Sequence, residues 1–173
     1  MATVKTDPFT NKTMNQNEIA KFAGIQLKHP LMIFLREISI AGNYRFRVIV
    51  TGATLELFVT TLVKHHCKKH GEKFADYTFG RKLLLLHEMG LLSDNRFRLL
   101  NLFRDLRNDA AHEVKFEITK ATIAKFPVTL VKPENLPEHL IIFHICGKMV
   151  FELWNENSDV LARYFFTEQE RNG

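Results

Sequence analysis

The stretch from Leu99 to Lys115, LLNLFRDLRNDAAHEVK, constrains this chain more than any other. Read at helical spacing, Leu99, Leu102, Phe103, Leu106 and Ala110 fall on one apolar stripe, which predicts a core-facing helix. The opposite side carries Asn101, Arg104, Asp105, Asn108 and His112, an unusually polar row for a helix so well anchored. Within it an arginine, Arg107, is followed at five positions' remove by a histidine, His112. Arginine is a permanently charged fork that suits phosphate oxygens, and histidine exchanges a proton near neutral pH. A purely structural helix also accommodates both residue types.

Spacing separates these side chains. At about 100° per residue, Asn108 and His112 lie roughly 40° apart, whereas Arg107 and His112 are about 140° apart. Asn108 and His112 therefore act side by side. Arg107 joins them only through its long stem, through a distorted helix, or across a second copy of the helix. The last route predicts a symmetric homodimer with the motif at its seam.

The segment Arg107-Asn108-Asp109-Ala110-Ala111-His112 has the RNxxxH form and resembles the signature of the HEPN superfamily of all-α proteins. Many of these are metal-independent ribonucleases of toxin–antitoxin and phage-defence systems. The wider stretch from Phe79 to Phe116, with GRKLLLLHEMGLL ahead of the motif, also resembles the mannitol operon repressor family. The likeness covers roughly residues 44 to 123. The first resemblance implies catalysis by Arg107, Asn108 and His112 on RNA, with an antitoxin or regulatory protein as a further partner. The second implies a transcriptional regulator without catalysis.

The remaining sequence supports an all-α bundle of about five to seven helices in one domain over residues 17–170, preceded by a disordered tail over 1–16. The 173 residues suffice to bury a proper core, and a 46% hydrophobic fraction with 15 Phe describes a globular chain. A net charge of +5 is compatible with an anionic partner without singling one out. No apolar signal core opens the chain and no later run reads as an uninterrupted membrane span, so a cytoplasmic protein with reduced Cys67 and Cys146 is expected.

Helices are expected from Asn17 (short), Pro30 to Ile40, Tyr44 to His70, Phe79 to Leu92, through the motif, within residues 117–126, from Glu138 to Asn155, and from Ser158 to Thr167. In the second long one, VIVTGATLELFVTTLV is rich in β-branched residues, and strand competes there. Its length and the row Val48, Leu55, Phe58, Val59, Leu62 favour helix. Glu56, alone in that apolar run, reads as a carboxylate at the core edge paired with an arginine or hydroxyl; orienting Arg107 is the functional alternative. Gly71 is the expected C-cap. The basic end KHHCKKH offers Lys64, Lys68 and Lys69, with Arg104, as phosphate contacts. His66, Cys67 and His70 have the spacing of metal ligands, but no second cluster matches them, so neither metal nor cofactor is expected. Leu83, Leu84, Leu86 and Leu91 are assigned to the core, with His87 as a satisfied, partly buried histidine. In the Glu138–Asn155 helix the expected packing row is Leu140, Phe143, His144, Gly147, Val150, Phe151 and Trp154, Gly147 marking a kink or close approach.

Three function classes follow: a ribonuclease, a regulator, or an interaction protein whose Arg107 only joins helices. No helix-turn-helix for reading DNA is evident. Phosphate-binding glycine loops, a serine-nucleophile elbow and a zinc framework are likewise missing from the sequence.

Overall fold

A 23-residue helix, α2 (Tyr44–His66), runs through the centre of the bundle. The computed structural model describes residues 30–127 and 138–166. The expected tail, the short helix from Asn17 and most of the proline-rich connection after Pro127 lie outside the described residues. Around α2 stand α1 (Pro30–Ile40), α3 (Gly71–Ala75), α4 (Phe79–Glu88), α5 (Asp94–His112), α6 (Lys120–Ala124), α7 (Glu138–Glu156) and α8 (Ser158–Phe165). All eight are helices and no strand occurs among the described residues, so the chain is an all-α bundle. The helix beyond the expected count is α3, in what reads as a polar loop.

The β-branched run of α2 is held helical by packing against its neighbours, and its hydroxyls find partners within the helix. Thr51, Thr54, Thr60 and Thr61 each donate to the carbonyl four residues back, at 2.7, 3.0, 2.7 and 2.9 Å. With those groups satisfied, Thr51 and Thr61 enter the core beside Leu55, Phe58 and Leu62 at no unpaired polar cost. α2 packs on α1, α3, α4, α5, α7 and α8. Its length and composition alone would suit a bilayer, against the expectation for this chain, but half of that stretch is buried in the bundle.

Helix ends depart from expectation for local reasons. α2 stops at His66, capped by Cys67, whose N–H donates to Val63 O. Gly71 is not its C-cap but opens α3, and a Cβ there would stand 2.8 Å from Lys64 O, so only glycine lets the chain turn back this closely. α4 stops at Glu88 instead of Leu92: Gly90 takes a φ of +71°, and Gly90 N and Leu91 N bond His87 O and Leu86 O in the glycine-terminated pattern. Leu84 and Leu91 consequently face solvent, while Leu83 and Leu86 are buried.

In α7 the packing face is rotated from the expected row. Ile142, Ile145, Cys146, Met149 and Leu153 join Val150 and Trp154 in the core, whereas Leu140 and His144 are exposed. A Cβ on Gly147 would meet nothing within 4 Å, so no helix approaches there. Trp154 packs on Phe58, with ring centroids 5.4 Å apart.

Candidate functional site

α5 begins at Ser93, whose hydroxyl accepts from Arg96 N, and buries Leu99, Leu100, Phe103, Leu106 and Ala110; Leu102 is half-buried. Arg96 anchors its first turn to α7 by donating to Glu152 at 2.8 Å and to Glu156. Next to that turn His87 is satisfied as expected, its Nδ1 3.0 Å from Leu92 O and its ring stacked on Phe97.

The helix is regular through His112, which removes a distorted helix as the way to join the motif. α2 and α5 run antiparallel: Arg45 Nε donates to Ala110 O at 2.6 Å, and Gly52 lies against Arg107. That second contact is a notch. A Cβ on Gly52 would come within 2.5 Å of Arg107 Cγ and 3.2 Å of its Cβ. The arginine stem therefore crosses α2 where α2 has no side chain, and its guanidinium, about a third exposed, emerges at the bundle surface. There Nη1 donates to Asn108 Oδ1 at 3.3 Å, and Nη2 stands 4.0 Å from Glu56 Oε2.

Glu56 has a second cation. Its Oε1 is 3.7 Å from Nζ of Lys82, a buried lysine that also donates to Thr60 Oγ1 at 2.9 Å. Thus α4, α2 and α5 are joined through Lys82, Glu56 and Arg107. Arg104, one turn before Asn108, is held to Asp105 at 2.8 Å, with its Nη1 over Gly80, where a Cβ would collide with it.

His112 is exposed, and among the described residues its ring has no hydrogen bond, ion pair or ring contact. Arg107 and Asn108 are thus in contact and Arg104 lies one turn earlier on the same helix, whereas Arg107 and His112 are not in contact. Lys64 lies roughly 18 Å further along α2 than Gly52, at about 1.5 Å per residue. It pairs with Glu72 at 2.7 Å, and that hydrogen bond holds its ammonium above the ordinary lysine range. Lys68 and Lys69 follow α2 on the exposed turn before α3, away from the motif. No three potential metal ligands cluster among the described residues.

Beside the motif, an open cleft of about 170 Å³ is lined by Asp105, Asp109, Glu113, Glu117 and Lys125 over Phe116 and Phe126.

Sequence reasoning missed Gly52, Lys82, Arg45 and the cleft. Two signals were available: a glycine inside a long helix costs about 1 kcal/mol relative to alanine, and arginines in a helix's first turn oppose its dipole. Both misfits are resolved by α5 and by the end of α1, where Arg47 donates to Ile38 O and Ala41 O. Comparison of the chain with models of known protein families, with curated proteins and with solved structures returns no match.

Proposed function

We propose that the chain is a HEPN-like, metal-independent endoribonuclease acting as a cytoplasmic homodimer. His112 exchanges a proton with the reacting oxygens while Arg107 neutralises the scissile phosphate, with Asn108 orienting the arginine. The 2′-oxygen of the ribose attacks the adjacent phosphorus. The 5′-oxygen of the next nucleotide leaves and takes up a proton, and a 2′,3′-cyclic phosphate remains. Arg104 supplies a neighbouring phosphate contact, and Lys64, Lys68 and Lys69 are reached only by a longer strand.

The observation that carries this reading is the Gly52 notch. It delivers the Arg107 guanidinium to the surface beside Asn108 instead of riveting it into a tight ion pair. Support for a dimer comes from α2, where Phe46 and Leu57 are 62% and 49% exposed on one face, about 120–140° around the helix from Gly52. Large apolar side chains placed so call for a covering surface, which a second copy would supply.

The test is cleavage of single-stranded RNA in EDTA, with a 2′,3′-cyclic phosphate end and DNA left intact. His112→Ala is expected to slow it by about a hundredfold to ten-thousandfold, and Arg107→Lys to be poor because an ammonium lacks the planar fork. Activity surviving both changes, or none in the wild type, moves the assignment to a non-catalytic regulator resembling the mannitol operon repressor family. The cleft favours that second reading: even with Lys125 in its lining and Asp105 paired to Arg104, its four carboxylates leave it net negative, which opposes RNA and suits a basic protein partner.

A further inference from the structure

Lysine is almost never buried without a partner, and the Lys82 side chain is only 6% exposed. Its ammonium has three donors. One goes to Thr60 Oγ1, an oxygen freed for accepting because its own proton goes to Glu56 O. The nearest charge is Glu56, with Oε1 at 3.7 Å. The other oxygen of the same carboxylate faces Arg107 at 4.0 Å, beyond hydrogen-bond distance. One carboxylate is thus shared by two cations, one of them buried.

Arg96 shows what an arginine used only to join helices looks like in this protein. Its side chain is 11% exposed and its guanidinium grips both Glu152 and Glu156. Arg107, more than three times as exposed, has only the 3.3 Å bond to Asn108 among the described residues. Nothing in the backbone keeps Glu56 from closing on it, since both side chains are long and part-exposed. What opposes closure is the pull of the buried ammonium on the far side of the carboxylate.

We propose that Lys82 is a positioning residue for Arg107, acting through Glu56. By drawing the Glu56 carboxylate to itself, it leaves the Arg107 fork open for a phosphodiester. The identity of that anion rests on the ribonuclease reading above; the control of Arg107 by Lys82 does not.

Two measurements on Lys82→Met, Glu56→Gln and the double variant test this. The first is rotation of the Arg107 guanidinium about Nε–Cζ by NMR, with its signal assigned from Arg107→Lys. The second is affinity for a single-stranded RNA oligonucleotide. Lys82→Met should slow the rotation and weaken RNA binding by about tenfold, the loss of one charge-assisted contact. Adding Glu56→Gln should restore both, because a neutral amide does not hold the guanidinium. Unchanged rotation in Lys82→Met, or a loss that Glu56→Gln fails to rescue, overturns the proposal. Slowed and rescued rotation in a wild-type protein that binds no RNA sustains the role of Lys82 and removes the ribonuclease reading. If Lys82→Met does not fold, Lys82→Gln, which removes the charge but keeps a donor for Thr60, takes its place: slowed rotation that Glu56→Gln rescues supports the proposal, and unchanged rotation refutes it.

Discussion

Arg107 occupies the space that a side chain on Gly52 would fill: its Cγ stands 2.5 Å from the site of the missing Cβ. The glycine on α2 and the arginine on α5 are therefore one feature, which sets both the approach of the two helices and the exit of the guanidinium.

That relationship predicts a change of sign. Gly52→Ala should destabilise the protein by about 1 kcal/mol, an overpacking cost of about 1–3 kcal/mol exceeding a helix gain of about 1 kcal/mol. In an Arg107→Ala background the 2.5 Å clash is gone and only the 3.2 Å contact with Cβ of residue 107 remains, so the same Gly52→Ala change should stabilise by about 0.5 kcal/mol. Urea midpoints of the four proteins measure it. Equal effects in both backgrounds would show that the stem does not occupy the notch.

Because α5 is regular and holds Arg107 and His112 on different sides, the ribonuclease proposed above would need one residue from each copy of a dimer. Arg107→Ala and His112→Ala should each be inactive alone. Mixed and allowed to exchange, they should recover about a quarter of wild-type cleavage, since half the dimers then hold one intact site. No recovery in a mixture shown by mass to contain heterodimers would assign both residues to the same subunit.

Acid sensitivity should involve the end of α2. Burial, and then the neighbouring His65, hold the His66 imidazole below its ordinary value of 6.5. The unfolded chain therefore takes up that proton more readily than the folded one. Stability from this group is complete above the ordinary value and is lost as pH falls through it toward the folded one. The melting temperature should drop on acidifying from about pH 7.5 to about pH 5, and His66→Gln should flatten that drop. Identical slopes would assign the acid sensitivity to other groups.

The cysteines should differ in reactivity. Burial pushes the Cys146 thiol up to about 12, so it stays protonated and inaccessible, whereas Cys67 is only partly buried, 3.7 Å from the Met89 sulfur. An aromatic disulfide reagent near neutral pH should modify Cys67 in the native protein and both thiols in denaturant. Native labelling of Cys146 would show that the α2–α7 contact opens readily.

Helix positions were legible because a helix is written in neighbouring residues: the apolar stripe of α5, the cap at Ser93 and the proline opening α1 all act within a turn or so. The same locality made Arg107 and Asn108, neighbours in the chain, readable together. Partners across the bundle are not local. That Gly52 faces Arg107, that Lys82 shares Glu56 with it, and that Arg45 reaches Ala110 depend on residues 26 to 65 positions apart meeting at angles fixed by packing. The rotated face of α7 has the same cause. Apolar residues nearly encircle that helix, so its periodicity leaves the inward side undetermined until α2 settles against it.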